Sequence, residues 1–401
     1  MVVAEYRVTF KTQEAGSWKE VSRAQVTLFE FAGEKIKRAI DYGKGIDRMQ
    51  HLSFPQTGRS IFILLVVTSP WLPRDVMAAK YGASNTIATS IQEARFVTLG
   101  GIQQWITIRG ANRANPVLLV VHGGPGDAQS FLRNTYAVYE EDFTIVQWDQ
   151  RGAGKTYGKN PNSPPEPERV ELDGIELAQY LCDYLGKKKI LLLGHSWGTH
   201  LGVEMVQRRP ELFAAYIGTG QVGSWRANVN AQFDFMLARS RAANDQKKVE
   251  LMEAIGRPDP ANAEQYFSWW RMRNPYMARA DAKWFEDLTQ IVRSEFSEAE
   301  MKTFGEGMQY SGRTTLNAML TTEFPTTART LKVPFFVIQG KEDMATPTSV
   351  AVNYYNVVKA SRKKLIIIEH AGHFALVTHR EEFLAALVKE VRPLAVTNER
   401  R

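Results

Sequence analysis

Apolar positions along this chain recur in two rhythms. Short, predominantly apolar runs occupy residues 117–121, 143–148, 190–193, 214–218, 335–339 and 365–368. Turn residues bound most of them, which is the pattern of strands buried on both faces. Between and after these runs the apolar residues fall at helical spacing, over 173–185, 201–207 and again behind each of the last two runs. Strands alternating with helices predict an α/β fold, with a mostly parallel sheet covered by helices on both faces. A hairpin precedes the first run: residues 96–99 and 102–108 flank Gly100-Gly101, a tight-turn pair.

Two regions depart from this rhythm. From about 223 to 330 only helical spacing is found, over 233–243, 247–255, 261–273, 281–296 and 298–309. A helical block between two strands of one sheet reads as an inserted cap. Residues 1–90 show a strand pattern at 6–10, a helical one at 32–42 and no chemical motif. The expected organisation is therefore an N-terminal extension (1–90), a core (91–222), a helical cap (223–330) and the rest of the core (331–401). The stretch 160–168 is rich in proline and asparagine and is expected to be loop.

Composition narrows the class. With 401 residues, 44% hydrophobic and 23% charged, the chain has the makeup of a globular protein with a large core. The formal net charge is +7, but the basic residues are scattered, and the lysine run Lys187-Lys188-Lys189 directly precedes a strand. That is a solvated loop, and nucleic acid is not an expected partner. Cys182 is the only cysteine, so no intrachain disulfide can form. It lies among Ile175, Leu177, Leu181 and Leu185 and is expected in the core. The apolar run at 61–67, extended loosely to 72, is shorter than the roughly 18 residues of a membrane span. Residues 1–10 lack the order of a secretory signal. A cytoplasmic location is expected, with membrane association through residues 61–72 as the alternative.

The chemistry centres on Gly194-His195-Ser196-Trp197-Gly198, which follows one strand and opens a helix. In that context G-x-S-x-G is a nucleophile elbow: a sharp turn strains the serine, and glycines two residues away avoid collision. Serine needs a base, and the base needs a carboxylate. In elbow enzymes the order along the chain is Ser, acid, His. Two late segments fit that order. Gly340-Lys341-Glu342-Asp343 follows one strand, and Glu369-His370-Ala371-Gly372-His373 follows the next. Asp343 is favoured over Glu342, and His373 over His370 because the small Ala371-Gly372 pair lets its loop approach the serine. Oxyanion donors are expected from the N–H of Trp197 and from the loop His122-Gly123-Gly124-Pro125-Gly126, at Gly124 or alternatively Gly123.

Three segments together resemble the signatures of the proline iminopeptidase family: His122-Gly123-Gly124-Pro125-Gly126, Trp148-Asp149-Gln150-Arg151-Gly152-Ala153-Gly154 and the elbow itself. The likeness covers about residues 92–222 and 331–401. It implies an α/β-hydrolase fold, Ser196 as nucleophile, Asp343 as acid, His373 as base, a helical cap and no metal or cofactor. It also implies that Asp149 and Arg151 tie loops together, and that the substrate is a short peptide or another small molecule cut at its amino end. Two departures stand out. His195 replaces a glycine usual in the family's elbow. Where the family's cap carries an acid in Trp-x-x-Trp-Glu to hold a substrate ammonium, the nearest echo is Phe267-Ser268-Trp269-Trp270-Arg271. A cation repels an ammonium group, so Trp269, Trp270 and Arg271 leave a carboxylesterase with an apolar pocket as the alternative. A non-catalytic binding protein of the same fold is the third reading.

Overall fold

A computed structural model of the protein describes residues 90–400 apart from 258, 260–271 and 273–275, and four earlier strands by their backbone. The chain divides into two units, residues 1–86 and 87–401.

In the first unit β1 (Val2–Glu14), β2 (Ser17–Glu30), β3 (Arg48–Ser53) and β4 (Ser60–Leu65) form a sheet in the order β1-β2-β4-β3. All its pairings are antiparallel. The strand expected at 6–10 is part of β1, and the apolar residues 61–65 belong to β4. Residues 66–72 and the helix expected at 32–42 lie outside the described residues.

The second unit is built on eight strands in the order β12-β11-β10-β9-β7-β8-β6-β5. β5 (Ile91–Leu99) and β6 (Ile102–Gly110) form the expected hairpin. β7 (Val117–Val121), β8 (Thr144–Trp148), β9 (Ile190–His195), β10 (Phe213–Thr219), β11 (Phe335–Gly340) and β12 (Lys363–Ile368) pair in parallel. After β7 the chain steps to one side, to β8, and then returns to the other side as β9. The order of strands thus reverses at β7, and such a reversal opens a crevice at the carboxyl ends of the strands. Val121 pairs with Gly194, and Gly194 with Gly218, so three strands end level at that crevice.

Alternate residues of each strand feed two cores. Leu119, Val121, Leu192 and Val337 belong to one, and Leu118, Val120, Leu191, Leu193, Phe336 and Ile338 to the other. Each such side chain contributes about 1.5–3 kcal/mol on full burial. The first core is closed by α1 (Pro167–Leu185) and α2 (Trp197–Arg208). Cys182 sits in it, 5% exposed. Helix α1 begins before the expected 173, inside the Pro-rich stretch. Pro167 occupies its first turn, where a missing N–H costs nothing.

Between β10 and β11 run α3 (Trp225–Ala242), α4 (Gln246–Ile255), α5 (Arg279–Glu295) and α6 (Glu298–Leu320). The helix expected at 261–273 falls outside the described residues, save Met272. Helix α6 continues past the expected 309 despite glycines at 307 and 312. The small residues have a tertiary use: Ser311 Oγ donates to the Gly152 carbonyl at 2.8 Å, and a Cβ at Gly307 would stand 2.9 Å from the same oxygen. Behind β11 comes α7 (Thr348–Val357). No described helix is long and apolar enough to cross a membrane.

The loop after β8 is fastened from within. Arg151 Nε meets Asp173 Oδ2 of α1 at 2.7 Å, and its Nη2 donates to the Gly100 carbonyl at 3.0 Å. The two side chains are 6% and 0% exposed. Asp149 Oδ2 accepts the Lys155 N–H at 2.9 Å. The stabilising weight of Arg151 is open to measurement by urea unfolding. Arg151→Leu leaves the buried Asp173 carboxylate with Arg169, 3.0 Å away, as its remaining ion-pair partner and is expected to cost about 2 kcal/mol. Lys341→Leu removes the exposed Lys341–Glu369 pair and is expected to leave the midpoint unchanged.

Candidate active site

Ser196 lies between the end of β9 and the start of α2, with φ 54° and ψ −120°. It is one of three non-glycine residues at positive φ among the described residues. Such a conformation persists only where the surroundings enforce it. Here a Cβ at Gly198 would stand 2.0 Å from the Val121 carbonyl oxygen, and one at Gly194 would stand 2.5 Å from the Gly198 carbonyl oxygen. Backbone touches backbone at both points, so both glycines are required. The turn is tied by the Ser196 N–H, which donates to the Thr219 carbonyl at 3.0 Å, and by the Thr199 N–H and hydroxyl, which donate to the Ser196 carbonyl at 2.8 and 2.7 Å.

Asp343 follows β11, and His373 follows β12. The structure brings them together: His373 Nδ1 lies 2.9 Å from Asp343 Oδ2. The carboxylate is 1% exposed yet fully occupied. Its Oδ2 also accepts from Gln339 Nε2 at 2.8 Å and the Thr346 hydroxyl at 2.9 Å. Its Oδ1 accepts the N–H groups of Ala345 and Thr346 at 2.8 and 2.9 Å. Burial by itself would raise this carboxyl, but the adjacent His373 charge and these donors outweigh burial and hold it below the ordinary range. With Nδ1–H directed at the carboxylate, Nε2 is the ring atom left to take a proton.

The imidazole and Ser196 share one glycine-lined notch. A Cβ at Gly220 would lie 2.8 Å from His373 Cε1 and 3.3 Å from the Ser196 nitrogen. The alternative pair meets elsewhere: His370 Nδ1 lies 3.7 Å from Glu342 Oε1, with side chains 86% and 49% exposed. His200 faces away, bonding Thr322 Oγ1 at 3.0 Å and stacking between Trp197 and Phe324.

The loop after β7 reaches the same place. A Cβ at Gly123 would lie 3.0 Å from Ser196 Cβ, and Gly124 follows at φ 111°. Gln150 Nε2 props the loop by donating to the His122 carbonyl at 2.9 Å. Burial pushes the His122 imidazole down to about 4. Trp197 holds the first position of α2, where an amide has no partner within its own helix. Trp269, Trp270 and Arg271 lie outside the described residues.

Two residues that sequence reasoning did not assign belong here. His195 is 1% exposed, and its Nε2 donates to the His373 carbonyl at 3.0 Å. Among the described residues its Nδ1 has no hydrogen-bond partner. Burial first, and the charge of His373 second, push its imidazole down to about 3. Its signal in the sequence was the replaced glycine. Asp281, on α5, accepts the His373 N–H; nothing in the sequence singled it out. A cleft of about 800 Å³ lies apart from these residues, walled by Phe96, Trp105, Phe131, Phe296 and Phe304. Neither Ser196 nor His373 lines it.

Comparison with known proteins agrees with the architecture. The model of the alpha/beta hydrolase fold matches residues 116–380, a span that holds Ser196, Asp343 and His373. A probable aminopeptidase of Bacillus subtilis, YbaC, is 28% identical over 315 residues, covering 76% of this chain and 97% of the relative. A proline iminopeptidase of Lactobacillus acidophilus is 25% identical over 294 residues, covering 72% of this chain and 94% of that one. Among solved structures, proline iminopeptidase of Mycobacterium smegmatis superposes with a TM-score of 0.55 at 20% identity, over 76% of this chain and 99% of the other.

The seat of the turn can be tested by one methyl group. Gly198→Ala drives a carbon into the Val121 carbonyl and is expected to destabilise the fold by about 3 kcal/mol or more, read as a lowered urea midpoint.

Proposed function

We propose that this chain, which belongs to the α/β-hydrolase fold family, is a serine hydrolase that cleaves an amide or ester through an acyl-enzyme and acts most like a proline iminopeptidase. The observation that carries this reading is the Asp343–His373 pair, buried and hydrogen-bonded, in the same notch as the strained Ser196.

In the proposed reaction Ser196 Oγ attacks the substrate carbonyl while His373 Nε2 takes its proton. Asp343 fixes the tautomer and supports the imidazolium that forms. The N–H groups of Trp197 and Gly124 receive the oxyanion; one such donor is typically worth about 10²–10³ in rate. Collapse expels the amine or alcohol, which takes the proton from His373. Water then repeats the sequence on the acyl-enzyme and frees Ser196. The helical segment at 223–330 is proposed as a cap that shapes the substrate pocket.

The relatives named as a probable aminopeptidase and as a proline iminopeptidase support cleavage of an amide beside a free amino end. Arg271, in a stretch where the resembling family has an acid, favours the second reading, a carboxylesterase. Proline p-nitroanilide and short p-nitrophenyl esters separate the two by kcat/KM: a peptidase prefers the anilide, and an esterase leaves it intact.

Two substitutions test the chemistry beneath both readings. Ser196→Ala is expected to abolish turnover and labelling by a fluorophosphonate probe while leaving thermal unfolding near that of the parent. An active variant refutes the assignment. Asp343→Asn should lower kcat by about 10³–10⁴, because an amide favours the wrong tautomer of the imidazole. Glu342→Gln, on the exposed pair, should stay within about twofold. The reverse order moves the acid to position 342.

A further inference from the structure

His373 lies in a loop, so no ladder of its own secondary structure holds its peptide groups. Its N–H donates to Asp281 Oδ2 at 2.7 Å, and the N–H of Phe374 donates to Asp281 Oδ1 at 3.1 Å. Its carbonyl accepts from His195 Nε2 at 3.0 Å. Both main-chain polar groups of this residue therefore end on side chains from other elements.

Asp281 stands in the first turn of α5, within the helical segment between β10 and β11, and is 2% exposed. An acid in a first turn ordinarily serves the dipole of its own helix. This one spends both oxygens on the loop after β12. The approach is possible because position 372 is glycine: a Cβ there would lie 2.1 Å from Asp281 Oδ2 and 2.6 Å from Ala278 Cβ. Two successive N–H groups on one carboxylate are charge-assisted bonds that fix the orientation of a peptide plane. That plane sets the direction of the His373 Cα–Cβ bond. The Nδ1 contact with Asp343 then sets the rotation of the ring.

We propose that Asp281 is a positioning residue: its carboxylate, held on α5, clamps the peptide of His373 so that the imidazole addresses Ser196, and couples the seat of the helical segment to the rate of acyl transfer. The proposal rests on the reading of Ser196 and His373 given above. Asp281 bonds the peptide groups of His373 and Phe374 and also carries a charge that interacts with the imidazole, so the isosteric Asn variant serves to separate loss of that charge from loss of position. A displacement of about 1 Å in a reacting group costs about 10²-fold.

The test compares Asp281→Ala and the isosteric Asp281→Asn with the parent, using a p-nitrophenyl ester, a fluorophosphonate probe and amide hydrogen exchange over residues 371–376. In Asp281→Ala, kcat is expected to fall about 10²-fold with KM within about twofold, and labelling of Ser196 to slow by the same factor. The amides of 373 and 374 should exchange faster. Asp281→Asn keeps one accepting oxygen and should recover about tenfold of the lost rate. Asn at this position preserves shape, so it carries the comparison should the alanine variant not fold. A kcat within about twofold of the parent overturns the proposal. So does a raised KM at constant kcat, which marks a substrate contact, or a loss that equals the fraction unfolded. A parent enzyme that takes no label overturns the hydrolase reading itself. A labelled parent with an unaltered Asp281→Asn rate overturns the positioning role alone.

Discussion

No side chain fits between the first turn of α2 and the end of β7. The Val121 carbonyl stands where a Cβ of residue 198 would be, and this close contact governs the geometry around it. It seats α2 directly on the sheet at the point where the order of strands reverses. It forces the chain to turn within one residue, which leaves Ser196 at positive φ. It also brings the loop after β7 alongside, so that Gly123 abuts Ser196 Cβ. The strain at Ser196 is thus enforced by burial on both sides. Leu191, Leu192 and Leu193 of β9 and Leu201 and Val203 of α2 are fully or almost fully buried, and each would be partly re-exposed if the turn relaxed.

Electrostatics in the site divides along burial and partnership. His122, His195 and His200 are shut away from carboxylates in contact with their rings, and burial pushes them down to about 4, 3 and 4. They act as neutral packing and hydrogen-bonding groups. His373 differs in having a carboxylate against Nδ1. That carboxylate keeps its charge because donors surround it: Gln339, Ala345, Thr346 and His373. Fewer donors do not suffice: Asp149 accepts the Lys155 N–H, yet burial pushes it up to about 6. Four glycines at 194, 198, 220 and 372 let backbone or side chains close to within contact at this site.

What was legible in the sequence follows from this physics. Strands buried on both faces are mostly apolar, so β7, β9 and β11 announce themselves, and the glycines at 194 and 198 mark a place where only backbone fits. Gly372 does mark a close approach, but to Asp281 and Ala278 and not to Ser196 as the sequence suggested. Helix ends were harder. Pro167 reads equally well as loop or first turn, and the glycines of α6 hide a contact with the Gly152 loop that only the tertiary structure reveals. Asp281 was illegible because an acid in a first turn has an ordinary local explanation. Its partners lie 92 and 93 residues further along the chain. His195 showed only as a departure from a pattern, with no hint that its nitrogen reaches the carbonyl of His373.

The helical segment enters and leaves the core at one stitch. The Trp225 N–H donates to the Thr322 carbonyl at 3.0 Å, and the Phe324 N–H to the Gly223 carbonyl at 3.0 Å. Ser224 Oγ adds a bond to Glu323 Oε2 at 2.7 Å. Because both ends close on each other, the segment between them does not interrupt the sheet: β10 and β11 still pair directly, Tyr216 with Phe335. The segment is nevertheless packed on the core: Val229, Phe233, Met236, Leu316 and Met319 lie in the first core, and Ser311 reaches the Gly152 carbonyl. The clamp from Asp281 adds a polar constraint at the start of α5. The stretch of α5 that touches the His373 loop must keep its seat, because it closes hydrogen bonds that the core leaves open. Variation in the segment is therefore least constrained at its exposed positions, away from the core-facing residues of α3 and α6 and from the start of α5.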